Sequence, residues 1–164
     1  MALQKTLILI KPDGVQRGLI GEIIKRFEQR GLKVIGLKLA HADETFAKKH
    51  YTEDITIRKG EKVRNSLLGY ITSGPVIAIV IEGVDAIANV RKIVGDTESK
   101  SALPGTIRGD FSHVSYSHAD EKNYPVKNLV HASSNENDAK SEISLWFSKE
   151  EIYSYKRSED EHLI

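Results

Sequence analysis

An α+β fold, one four-stranded antiparallel sheet covered by helices, is what this sequence predicts, and three observations predict it. Residues 6–10, 33–40 and 76–81 are apolar or alternating runs of strand length, too short for helices. The stretches between them carry apolar residues at helical spacing, so the chain reads strand, helix, strand, helices, strand, helix. A fourth short run, 128–132, then leads into a last amphipathic helix.

Each element follows from its residues. The run 6–10 is continuously apolar, the pattern of a strand buried on both faces, and Pro12 stops it because proline cannot donate to a ladder. Gly14 and Gly18 punctuate the connection. Ile20, Ile23, Ile24 and Phe27 then recur at helical spacing up to Gly31, a helix-ending residue. Residues 33–40 alternate, with Ile35, Leu37 and Leu39 expected on one face. Asp43 is placed to cap a short helix that reaches His50 and Tyr51. Residues 61–70 read as a helix with Val63, Leu67 and Tyr70 on one side; Ser73-Gly74-Pro75 breaks it and introduces the strand 76–81. Residues 85–94 form the next helix, with Ile87, Val90 and Val94 inward and Gly95 at its end. The strand 128–132 completes a βαββαβ sheet with its helices expected on one face, the ferredoxin-like plan. Residues 97–111 and 112–127 are expected to be irregular, and loops of that length are usually functional or mobile.

Composition narrows the class. A chain of 164 residues, 40% of them apolar, fits a single domain over 1–164. The 24 Lys and Arg against 23 Asp and Glu leave a net charge of +1, which argues against a broad footprint for duplex nucleic acid. Cysteine is absent, so disulfides, thiolate metal sites and a cysteine nucleophile are excluded. The N-terminus lacks the pattern of a secretory signal, and the apolar runs fall far short of the roughly 20 residues of a membrane span. The expectation is a cytoplasmic protein with no membrane and no obligate nucleic-acid partner. A Walker-type phosphate loop is missing, and the strands "TLILI", "KVIGLKLA" and "VIAIVI" hold none of the aromatics that an RNA-recognition sheet stacks on bases.

The sharpest chemical clue is His131. It sits at the end of a strand just before a helix N-terminus, where free N–H groups and the helix dipole favour anions. Ser133 and Glu136 have the spacing of a capping box for that helix. By position alone, plain packing at a strand end is the stronger account of this histidine. Glu142 shifts the balance. It shares the edge of the helix stripe made by Ala139, Ile143 and Trp146, and a carboxylate turned inward needs a partner. Held by a carboxylate at one nitrogen, an imidazole presents the other as nucleophile; the alternative is a Glu142 that reaches solvent. Lys11 closes the first strand, Arg91 lies near the end of its helix, and Thr97 and Arg108 fall in the irregular span. Together these could clamp a triphosphate.

The runs 10–18 ("IKPDGVQRG"), 104–111 ("PGTIRGDF"), 128–133 ("NLVHAS") and 142–147, with the closing Tyr155-Lys156-Arg157, resemble the nucleoside diphosphate kinase family, in order and over nearly the whole chain. The resemblance implies reversible ping-pong transfer of a γ-phosphoryl group from ATP or another nucleoside triphosphate to a diphosphate, through a phosphohistidine on His131. It implies Glu142 as the orienting partner of His131, Tyr51 as a hydrogen-bonding neighbour, Lys11, Arg91, Thr97 and Arg108 on phosphates, and Lys11 and Asn128 on the sugar. It also implies Mg²⁺ carried by the nucleotide phosphates, and a homo-oligomer, a hexamer ahead of a tetramer. A regulatory relative without catalysis is the rival reading.

Three departures from the family pattern stand out. Val63 or Arg64 occupies the place of a base-stacking aromatic, in a segment 55–64 that is a few residues longer. Residues 112–127 carry a surplus of about ten residues. Ala132 replaces the more frequent glycine after the histidine.

Overall fold

The computed structural model describes residues 3–163. The strands are β1 (Gln4–Ile10), β2 (Lys33–Ala40), β3 (Val76–Gly83) and β4 (Val130–Ala132), in one sheet ordered β2-β3-β1-β4 with every neighbour antiparallel. Helix α1 (Pro12–Gln16) and α2 (Ile20–Gln29) follow β1; α3 (Glu44–His50), α4 (Glu53–Lys59) and α5 (Glu61–Ile71) lie between β2 and β3. After β3 come α6 (Ala86–Val94), α7 (Ile107–Phe111) and α8 (Tyr116–Glu121). Helices α9 (Glu136–Trp146) and α10 (Asp160–Leu163) follow β4.

Helices cover both faces of the sheet, not the one face expected. The reason is visible in β1: Ile8 and Ile10 point into a core with Phe27, Ile79, Ile81 and Val90, while Leu7 and Leu9 point into a second core with Ala78, Val80, Leu68 and Trp146. A strand apolar on both sides of its pleat exposes two faces that must each be buried, so a helix layer forms on each. Helices α2 and α6 serve the first core; α3, α5 and α9 serve the second.

In β2 the alternation breaks. The register with β3 shifts between Val34 and Gly36, so Ile35 is the extra residue of a bulge and is buried in the second core. Leu37 and Leu39 therefore do not share its face and stand exposed at 53% and 65%. A Cβ on Gly36 would meet the Phe147 ring at 3.1 Å, which is why the bulge takes glycine where α9 runs out against it.

Both long loops contain helix. Residues 97–111 hold a 3₁₀ turn at Ser99–Ser101 and then α7, whose Thr106 hydroxyl caps Gly109 N at 3.0 Å. Residues 112–127 hold α8, capped by Ser115. The extra segment 53–59 is likewise helical, and Gly60, at φ 91°, separates it from α5. At α9, Asn135 is the N-cap, accepting from Asp138 N at 2.9 Å. The capping box expected of Ser133 and Glu136 does not form, because the Ser133 hydroxyl donates to Glu142 instead, at 2.6 Å. The final strand is shorter than 128–132 because Leu129 adopts φ +70°, a left-handed conformation that leaves the ladder.

Candidate functional site

That strained residue lies between two of the predicted site residues. Leu129 is fully buried, its N–H donates to Asp13 Oδ2 at 3.2 Å, and its carbonyl accepts from Lys11 N at 2.8 Å. Tyr70 donates its hydroxyl proton to the other oxygen of Asp13. Unfavourable backbone persists where its surroundings over-determine it, and here a buried carboxylate does so. The turn presents Asn128 on one side and His131 on the other. Asp13 was legible only as part of a turn sequence; its buried role depends on a partner 116 residues away.

His131 pairs with Leu9 in the middle of β4. Its Nε2 lies 3.0 Å from Glu142 Oε1, and Glu142 Oε2 accepts from Ser133 Oγ. Burial pushes the Glu142 carboxyl up, but the hydrogen bond and charge of His131 and the Ser133 hydroxyl outweigh it, so the group lies below its ordinary value. An ionised Glu142 accepts a hydrogen bond from the Nε2–H and leaves Nδ1 of His131 with its lone pair. Replacing Glu142 by Gln keeps the shape but offers a neutral partner in place of the charge. We expect phosphoryl transfer to fall about 100-fold with nucleotide affinity retained, measured as kcat and KM at fixed pH.

Beside His131 stands His50, buried at the end of α3, its ring 4.7 Å from that of His131. Burial, followed by the nearby His131, lowers its pKa to about 3, so it is neutral. Tyr51 is also buried, and burial followed by the Glu142 charge raises its phenol pKa well above the usual range. Arg64 holds the Tyr51 carbonyl at 2.8 Å.

The cations surround a second centre. Lys11 is 5% exposed and donates to Asn128 Oδ1 at 2.7 Å, with its ammonium 5.0 Å from the Tyr70 ring centre. Burial, then the Arg108 charge, lowers its pKa to about 7. Asn128 donates to the Thr97 carbonyl at 2.8 Å, which ties the loop after α6 to the strand end. Arg108 reaches from α7 to three backbone carbonyls: Asn128 at 3.1 Å, Gly95 at 3.0 Å and Val130 at 2.5 Å. Gly95 can offer its carbonyl this way at φ 86°, and a Cβ there would strike Thr106 Oγ1 at 2.5 Å. Three of the five guanidinium donors are thus used in holding the site, and two remain for a ligand.

Lys11, Tyr51, Val63, Arg91, Thr97, Arg108, Asn128, His131 and Glu142 all line one cleft of about 1320 Å³. Eight Lys and Arg line it against four acids, Asp54, Asp120, Asp138 and Glu142. Such a wall draws in a polyanion. Val63 is on α5 and 39% exposed on the cleft wall. Across the cleft, α8 brings Tyr116, and Asn123 and Tyr124 follow. These residues, with His50, Ser133 and Asp13, were not legible as site residues, because each depends on how distant segments fold together. Among the described residues the one cluster able to ligate a metal through three side chains is His50, His131 and Glu142. Two imidazoles and one carboxylate do not suit Mg²⁺, which prefers oxygen ligands and keeps its waters.

A histidine with one nitrogen held by a carboxylate, facing a cation-lined cleft on this βαββαβ sandwich, defines a phosphotransferase-type site. The family described as "Nucleoside diphosphate kinase" matches residues 4–152. The nucleoside diphosphate kinase of Borreliella burgdorferi is 52% identical over 161 residues, covering 98% of this chain and 96% of that protein. That of Sulfurisphaera tokodaii is 49% identical, covering 93% and 94%. Among solved structures, a transition-state mimic of the Borrelia burgdorferi enzyme with bound vanadate and ADP superposes with a TM-score of 0.94 at 52% identity, covering 96% of this chain and 95% of that one. The chain belongs to the nucleoside diphosphate kinase family, and it is a phosphotransferase.

Proposed function

We propose that His131 carries the phosphoryl group in this chain's reaction, between nucleoside triphosphates and diphosphates, in two half-reactions at one cleft. The observation that carries the reading is the His131 Nε2 contact with Glu142 at 3.0 Å, which leaves Nδ1 as the free nucleophile. In the first half-reaction the Nδ1 lone pair forms a bond to the γ-phosphorus as the bond to the bridging oxygen breaks. The diphosphate leaves with the electron pair. The ring gains positive charge, which Glu142 offsets through the proton on Nε2. The second half-reaction reverses these steps with another diphosphate. Lys11, Arg91, Arg108 and Thr97 hold the phosphates, Asn128 and Lys11 the sugar, and Tyr51 hydrogen-bonds beside His131. Val63 lies where the base would rest.

Charge on the transferring oxygens is met by fixed cations, so little of the barrier needs to be crossed by solvent reorganisation. Mg²⁺ would come with the nucleotide, held by its phosphates and not by a cage of protein side chains, and would supply further charge neutralisation there. We read the protein as a cytoplasmic homo-oligomer, a hexamer ahead of a tetramer; no helix among the described residues is long and apolar enough to cross a membrane.

The test is incubation with γ-labelled ATP and Mg²⁺. The expected product is an acid-labile, base-stable phosphoprotein that discharges to GTP when GDP is added. A protein that binds ATP yet takes no label would support the regulatory reading instead.

A further inference from the structure

The mechanism above leaves one buried imidazole without a task. His50 ends α3, where the Asp43 cap and the inward Ala47 fix the helix and so the direction of the side chain. Its Nδ1 accepts from Trp146 Nε1 at 3.3 Å. In a neutral ring that assigns the proton to Nε2. This Nε2 is sealed from solvent and has no hydrogen-bond partner. Buried donors are nearly always paired, and an exception asks for a reason.

The reason lies in the neighbouring ring. The planes of His50 and His131 stand at 82°, with centroids 4.7 Å apart, an edge-to-face arrangement. A polar ring edge against a π face is the favoured geometry for such pairs. Tyr51 at 4.6 Å and Trp146 at 5.7 Å flank His50, so its own ring cannot turn away. Glu142 holds His131 at Nε2, which is at the far end of the ring from Cβ. A bond placed there resists rotation about Cβ–Cγ only weakly, and that rotation is the one that swings Nδ1 off line. A second ring packed edge to face against the imidazole does resist it.

We infer that His50 is a positioning residue for phosphoryl transfer: the edge-to-face packing of the two rings holds the plane of the His131 ring so that Nδ1 stays aimed into the cleft. The inference rests on the reading of His131 as the phosphoryl carrier. A metal bridging His50, His131 and Glu142 is a poorer account of the same cluster. To ligate through Nε2, His50 would have to move its proton to Nδ1 and set it against the Trp146 N–H, donor facing donor.

Three variants separate the edge from the hydrogen bond. His50→Phe keeps an aromatic edge and gives up the acceptor for Trp146. His50→Gln keeps a polar partner for Trp146 and gives up the ring, and His50→Ala gives up both. The readouts are the single-turnover rate of His131 labelling from γ-labelled ATP at saturation, and the ADP dissociation constant by calorimetry. Small misplacements of a reacting atom cost on the order of 100-fold. We therefore expect His50→Gln and His50→Ala to slow labelling by about 100-fold and His50→Phe to stay within about tenfold of wild type, with ADP affinity unchanged in all three. Recovery by Gln and not by Phe would overturn the inference, as would wild-type labelling in His50→Gln or a loss seen wholly in ADP affinity. Should His50→Ala not fold, the Phe and Gln pair decides. An unlabelled wild type would instead overturn the carrier reading, and this inference with it.

Discussion

Replacing His131 by Ala is expected to lower phosphoryl transfer by at least about 10⁴-fold, because loss of a nucleophile removes both half-reactions at once. That corresponds to about 5.5 kcal/mol of lost transition-state stabilisation. The rest of the cleft should survive the change. Lys11, Asn128 and Arg108 are held by one another and by backbone carbonyls, and none of those bonds passes through the His131 side chain. Nucleotide binding is therefore expected to change by less than about tenfold, since a single side-chain contact is at stake. Calorimetry with ADP beside a coupled rate assay checks both halves. The variant also strands Glu142, which keeps Ser133 as a partner but loses His131. Its carboxyl pKa should rise, because burial then acts with less opposition. Sign follows from linkage: a depressed carboxyl stabilises the native state above its unfolded pKa and loses that contribution as pH falls. The wild type should thus lose more stability than His131→Ala between about pH 5 and pH 3. Denaturant titrations of the two proteins across that range measure it. Comparable loss of nucleotide binding and turnover in His131→Ala would mean that the histidine shapes the cleft and does not carry the group.

The order of elements was legible because period-2 and period-3.6 patterns are local properties of the chain. The runs of β1 and β3 and the spacing of Ile20, Ile23 and Phe27 need no knowledge of anything distant. The side of the sheet on which helices pack was misread, though the apolar residues on both sides of the β1 pleat contained the answer. The bulge at Ile35 was not legible, because it is settled by Phe147 and Glu151 packing onto Gly36 from the other end of the chain. Ser133 shows the same limit. Its sequence neighbours fit a capping box, yet in three dimensions a buried carboxylate competes for the hydroxyl, and Asn135 takes the cap. Motifs brought the nine expected residues to one cleft, whereas Asp13 and His50 act through contacts that no local pattern encodes. Helices α4 and α8 lie in the two segments longer than the family pattern, where resemblance offered no template.

Lys11 supplies the strongest pH dependence. This buried cation, which we propose meets the phosphates, has a pKa lowered to about 7, by burial first and then by Arg108. Above that pH the free protein holds a largely neutral amine, hydrogen-bonded to Asn128. A polyanion arriving in the cleft favours the charged form, so nucleotide binding must take up a proton. We expect ADP affinity to fall between pH 7.5 and pH 9, by up to about tenfold per unit, with close to one proton taken up at the upper end. Calorimetry in buffers of different ionisation enthalpy reads that uptake directly. Folding responds with the opposite slope. Between pH 7 and the ordinary lysine value of 10.5 the unfolded chain holds a proton that the native Lys11 lacks, so stability rises with pH across that window. Below pH 7 the full cost of burying the charge remains. In Lys11→Met both slopes should vanish, stability at neutral pH should rise, and ADP affinity at pH 7 should fall on the order of 100-fold through loss of a charge-assisted contact. A Lys11→Met protein that keeps the wild-type slopes would place the titrating group elsewhere in the cleft. Loss of both slopes together would tie the instability of this one buried cation to its use, since above pH 7 an amine poised near neutrality takes up its proton when phosphate is there to meet it.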